Sequence, residues 1–158
     1  MTDKAFQDHY KDEVSVCYGC GRLNPHGLQI KSFWDGDETV CRFTPKAYHT
    51  AIEGYVYGGL IASLVDCHGT GTAAAAAYRA AGRPMGTEPD LRFVTASLQV
   101  DYLKPTPIDA PLELRGQVEE IKGRKVVVTI TVTSSGEQCA RGKVVAVQMP
   151  EHFKSHPS

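Results

Sequence analysis

The stretch GYVYGGLIASLVDCHGTGTAAAAAYRAAG, residues 54–82, limits the possible folds more than any other part of the chain. It carries Gly58-Gly59 near its start, runs through five consecutive alanines, Ala73 to Ala77, and stops at Gly82-Arg83-Pro84. Alanine is the best helix former, and Gly followed shortly by Pro ends helices, so the stretch predicts one long helix. Its small and apolar residues fall on every side of a helical wheel, the pattern of a helix buried all round. One carboxylate, Asp66, lies inside, after Leu64-Val65 and before Cys67. An ionised carboxylate is costly in such surroundings unless something pairs with it. Asp66 therefore needs a reason to be there.

The rest of the chain reads as strands. Residues 27–34 and 38–43 flank a turn at Asp35-Gly36-Asp37 and form a candidate hairpin. Residues 44–57 read as a loop leading into the helix. After the helix come candidate strands at 92–103, 112–121, 124–133 and 138–149. The third of these alternates, with Val126, Val128, Ile130 and Val132 on one face and Val127, Thr129, Thr131 and Thr133 on the other. Strands joined by short connections pair antiparallel, and a long apolar helix among them must lie across the sheet. The expected class is α+β, with the sheet curling around the helix.

A chain of 158 residues fits one domain with a sizeable core. A net charge of −1 suggests no polyanion, so no nucleic-acid partner is expected. No apolar run is long enough to span a bilayer, and the N-terminal MTDKAFQDHYKDE is unlike a signal peptide. Five cysteines, an odd number in a chain too large to need staples, read as reduced thiols of a cytoplasm. Cys17-x-x-Cys20 invites two functional readings, half a zinc site or a redox pair. Cys41, Cys67 and Cys139 stand alone in the sequence and no His pair has ligand spacing, so no metal is expected. Gly21 and Asn24-Pro25 mark a turn where a redox motif would have a strand and a helix start. Two small buried thiols in a Gly/Pro-rich connection is the favoured reading.

Three stretches together resemble the hot-dog fold, and within it the phenylacetate-pathway (PaaI-like) acyl-CoA thioesterases: CYGCGRLNPHGLQIKSF (17–33), HTAIEGYVYGGLIASLVDCHGTGTA (49–73) and VTASLQVDYLKPTP (94–107). The likeness covers residues 17–149, leaving 1–16 as a polar lead-in and 150–158 as a C-terminal tail. It implies a long central helix wrapped by a curved antiparallel sheet of about six strands. It also implies an acyl-CoA substrate, no cofactor, and a homodimer or dimer of dimers. The family's His-Gly-Gly motif reads Tyr57-Gly58-Gly59 here. The Gly58 N–H falls where the family polarises the thioester carbonyl, and Asp66 falls on its catalytic carboxylate. Thr95 falls on a strand position where some members hold the attacking water. Thr50 stands near the place of a polar amide side chain. His49, Tyr57 and Gly59 are candidate substrate contacts. For the phosphates of coenzyme A the candidates are Lys104 and Arg124, the latter in the basic turn Lys122-Gly123-Arg124-Lys125.

Elementary chemistry supports and constrains this reading. A helix N-terminus offers unpaired N–H groups to a developing oxyanion, and glycines let a carbonyl approach them. Asp66 could act as general base or as nucleophile. Gly58 and Asp66 are eight residues apart. That is about 12 Å along a helix, whereas each must lie within roughly 3 Å of its reacting atom. One helix therefore cannot serve one thioester from both places, and a two-fold interface between copies is expected. Four other readings stay open. Asp66 could be the N-cap of a second helix after a break at Gly69 to Gly71. His68 could be a rival catalyst, although a packed histidine is favoured. The chain could also be a hydratase or a non-catalytic acyl-CoA binder. Gly69 and Gly71 are expected to allow close approach of helix and sheet.

Overall fold

The computed structural model describes residues 4–150. One helix, α1 (Gly58–Ala80), packs on a six-stranded antiparallel sheet. The strands are β1 (Ser32–Asp35), β2 (Glu38–Phe43), β3 (Phe93–Tyr102), β4 (Leu112–Lys122), β5 (Lys125–Ser134) and β6 (Glu137–Gln148), in spatial order β1-β2-β4-β5-β6-β3. The sequence thus sets the helix between the hairpin and four strands, and among the described residues β3 ends up at an edge, paired with β6 alone.

The helix begins where Tyr57 leaves extended geometry, and Gly54, at φ +87°, turns the preceding loop. It ends in the expected manner. Gly82 sits at φ +66°, its N–H bonds to the Arg79 carbonyl, and the Arg83 N–H reaches back to Tyr78. That pair of bonds is a Schellman stop, which needs a left-handed residue. Val126, Val128, Ile130 and Val132 of β5 are buried with Leu60, Ile61, Leu64 and Val65 of the helix in one core.

Four expectations need correction. α1 is continuous through Gly69 and Gly71, so no second helix starts at Asp66. Gly69 is there because β6 comes close: a Cβ would lie 2.5 Å from Val144 Cγ2. Gly71 makes room for the lead-in rather than the sheet, since a Cβ there would lie 2.7 Å from Gln7 Nε2. The helix is not buried all round. Gly59, Ala62, Ser63, Asp66 and Thr70 form one half-exposed stripe, because the sheet covers the other sides and stops at β3. Finally, the first strand is short. Residues 27–31 pair instead with the Cys17 turn, through Leu28 N–H to Tyr18 O and Ile30 N–H to Gly19 O.

The lead-in forms two 3-10 turns, Phe6–His9 and Asp12–Val14, and packs into the fold. Phe6 meets Trp34 edge-on, and Gln7 is buried against Ser32. Of the predicted tail, residues 151–158 lie outside the described residues.

Candidate functional site

Asp66 lies on the half-exposed stripe of α1, facing β3. Thr95 Oγ1 donates to Asp66 Oδ1 at 2.5 Å, across 29 residues of sequence. The strand helps aim that hydroxyl: the β3–β6 register slips between Thr95 and Ser97, and a bulge redirects side chains. Asp66 and Thr95 border a cavity of about 360 Å³ whose other walls include Tyr10, Cys67, Tyr78, Met85, Phe93 and Met149. A polar pair at the edge of a largely apolar hollow can present an acyl group to a carboxylate.

The start of the helix faces elsewhere. Among the described residues no acceptor stands against the N–H groups of Gly58 or Gly59, and Tyr57, the N-cap, supplies no side-chain cap. Tyr102 Oη donates to the Gly58 carbonyl at 2.6 Å. Burial, and then the neighbouring Tyr57, pushes the Tyr102 hydroxyl above its ordinary pKa, so it remains a donor. Gly58, Ile61, Tyr102, Lys104 and Thr106 line a second hollow of about 320 Å³. Thr106 Oγ1 is buried there with no hydrogen-bond partner among the described residues. Tyr102 and Thr106 were not singled out from the sequence, although both lie in the stretch 94–107. A hydroxyl 44 residues from its acceptor leaves no local spacing signal.

Within one chain, then, Gly58 and Asp66 border different hollows. The remaining candidates are dispersed. Tyr57 is exposed and its ring lies over Gly59, where a Cβ would fall 2.4 Å from Tyr57 Cε2. Thr50 donates to the carbonyls of Ile52 and Tyr55 and so shapes its own loop. His49 Nδ1 accepts the Lys46 N–H at 2.9 Å, and its ring meets Tyr48 and Phe43. Partial burial and then Lys46 hold the His49 pKa below its ordinary value. Lys104 pairs with Glu137 at 3.1 Å beside the Gly58 hollow. Arg124 is exposed in the β4–β5 turn. That turn is at the same end of the sheet as Thr95, because Thr95 pairs with Ala146 and Ala146 with Val126.

His68 is packed in the core, as the favoured reading of it expected. It is fully buried, with Nδ1 2.8 Å from Ser32 Oγ and Nε2 3.2 Å from Thr39 Oγ1. Gln7 and Thr72 extend this chain of hydrogen bonds at either end. Burial holds the His68 pKa down at about 4, so the ring is neutral.

Cys67 is not isolated in space. Its sulfur lies 3.9 Å from that of Cys17, and the sulfurs of Cys17, Cys20 and Cys67 all stand within 4.8 Å of one another on the wall of the Asp66 cavity. Thiol contacts from Cys20 and Cys67, then the Cys20 and Gly19 N–H groups, hold Cys17 well below the usual thiol range. The Cys20 thiol is pushed up to about 12, chiefly by Cys17, and Cys67 is pushed up for the same reason.

Comparison with known proteins agrees with the architecture. The thioesterase superfamily model matches residues 53–140. A thioesterase superfamily protein from Shewanella loihica is 49% identical, covering 89% of this chain and 100% of its own, with a TM-score of 0.68. The PaaI protein of the E. coli phenylacetic acid degradation operon shares the fold at 18% identity, with 78% of this chain and 81% of its own covered and a TM-score of 0.63. Acyl-coenzyme A thioesterase THEM4 of Xenopus laevis is 31% identical over 77% of this chain and 50% of its own length. The chain spans about half the length of the curated THEM4 relatives it matches.

Proposed function

The chain belongs to the thioesterase superfamily, and from that membership we propose that it hydrolyses an acyl-CoA thioester at a site built by two copies together. The thioester carbonyl oxygen sits against the Gly58 N–H of one copy, and the Asp66 carboxylate of another copy faces the carbonyl carbon. Thr95 holds one carboxylate oxygen, which leaves the other for a water. The water oxygen adds to the carbonyl carbon and its proton passes to Asp66. The oxyanion is stabilised by the open end of the helix. Collapse expels the CoA sulfur, which takes the proton, and leaves a free acid. Direct attack by Asp66, forming a mixed anhydride that water then opens, uses the same groups.

The observation that carries this reading is the separation of Gly58 and Asp66 into two hollows along one helix. Two features support a second copy. β3 is a ten-residue edge strand with Val94, Leu98 and Tyr102 exposed, and long apolar edges invite pairing. The half-exposed stripe of α1 runs beside it, linked by Asp66 to Thr95 and by Gly58 to Tyr102. In this arrangement Arg124 and Lys104 are the candidate phosphate contacts. A reducing cytoplasm suits the reading, with five free thiols and no helix of the described residues long and apolar enough to cross a membrane.

Release of free thiol from a panel of acyl-CoAs tests the proposal. Asp66→Asn should lower turnover by roughly 10²- to 10⁴-fold while the chain stays folded. Binding without thiol release, for every acyl chain, would replace hydrolysis with a carrier role.

A further inference from the structure

We propose that Cys17, Cys20 and Cys67 bind one zinc ion as three thiolates, with the fourth coordination position open to the cavity that Asp66 borders. The three sulfurs come from two segments far apart in sequence, yet all lie within 4.8 Å of one another. Tetrahedral zinc with Zn–S bonds near 2.3 Å holds its sulfurs about 3.8 Å apart. The Cys17–Cys67 edge already measures 3.9 Å. The widest separation compatible with the cluster needs to close by only about 1 Å to reach that spacing.

The backbone around the cluster is shaped for it. The Gly21 N–H bonds to the Cys17 carbonyl at 2.8 Å and closes a tight turn. A Cβ at Gly21 would lie 2.4 Å from the Cys17 nitrogen, so the turn admits only glycine. At Gly19 the missing Cβ makes way for the Cys67 sulfur, which would lie 2.4 Å from it. Cys41 and Cys139 offer an internal contrast: both are buried thiols, and neither belongs to the cluster.

Three soft ligands and a near-tetrahedral edge select zinc over a hard, oxygen-seeking cation. Three sulfur–zinc bonds form, the protons of the three thiols leave to solvent, and no oxidant is required. Water from the cavity completes the coordination. The ion would tie the turn at residues 17–21 to the middle of α1, one residue from Asp66.

Cobalt reports on this site without reference to turnover, so the test stands apart from the hydrolase reading. The full chain is reduced, stripped with a chelator and titrated with Co²⁺ alone. The expected result is one ion per chain, with intense visible bands of tetrahedral cobalt and a thiolate-to-cobalt charge-transfer band, all removed by added Zn²⁺. Cys17→Ser, at an exposed position, and Cys67→Ala should each weaken binding by roughly tenfold or more. Cys139→Ser should bind as the parent does. Absence of the thiolate band in the parent, or its persistence in both cluster variants, overturns the proposal. So does a Cys17–Cys20 disulfide whose reduced form takes up no metal.

Discussion

If each catalytic site draws Gly58 from one copy and Asp66 from another, two dead variants should revive each other. Gly58→Pro is the first variant. Gly58 is the first residue of α1, where proline is favoured, and Tyr57 before it has φ −61° and ψ 129°, the geometry proline imposes on its predecessor. An added Cβ would meet Tyr102 no closer than 3.4 Å. The substitution therefore removes one N–H with little strain, and losing an oxyanion donor costs roughly 10²- to 10³-fold in turnover. Asp66→Asn is the second variant. In a mixed dimer one site carries both lesions, and the other carries neither. Equal amounts, unfolded together and refolded, give about half mixed dimers, each with one intact site, so about a quarter of parental activity should return. Thiol release measures the activity and native mass spectrometry counts the mixed species. Mixed dimers that form yet show only the summed residual rates of the two parents would refute the shared site. So would a fully active monomer.

His68 should make stability fall in acid. The unfolded imidazole takes up a proton near 6.5, whereas the folded one does so only near 4. Above pH 6.5 both states are neutral and the stability is complete; between 6.5 and 4 only the unfolded chain gains the proton, so stability declines by about 3 kcal/mol in total. Urea unfolding at several pH values reads this, and a flat profile through that window would contradict it. Gly69→Ala should destabilise by about 1–2 kcal/mol, because crowding Val144 costs more than the gain of about 1 kcal/mol in helix propensity. Val144→Ala should remove most of that cost in a double-mutant cycle. Arg124→Ala should raise KM for acyl-CoA several-fold and flatten its salt dependence, with kcat little changed. An unaltered KM at low salt would remove Arg124 from the phosphate site.

The helix, the succession of strands along the chain and the alternation of β5 were legible because each rests on local signals: alanine content, a Gly stop, a period of two; the pairing of β3 with β6 rather than β4 was not, because it joins segments far apart in sequence. Asp66 was conspicuous for its chemistry, but its partner Thr95 came only through the family likeness. The shortened β1 was not legible, because residues 27–31 pair with a cysteine turn whose position no propensity encodes. The exposure of the helix stripe was missed for a related reason. An apolar wheel tells how many sides could be buried, and the extent of the sheet decides how many are.

The hardest part to read was the run Asp66-Cys67-His68. Successive residues on a helix point about 100° apart, so three neighbours in sequence face three environments. Asp66 faces the edge strand and Thr95, Cys67 meets the Cys17 turn, and His68 enters the core between Ser32 and Thr39. Cys67 has no ligand spacing to Cys17, since 50 residues separate them. The sequence specifies the angles, but the partners arrive from three other segments. A substitution that disturbs one of the three residues can shift the helix against the other two. The metal at Cys67, the neutral ring at His68 and the carboxylate at Asp66 should therefore respond together when α1 is displaced, and separately when only a side chain is trimmed.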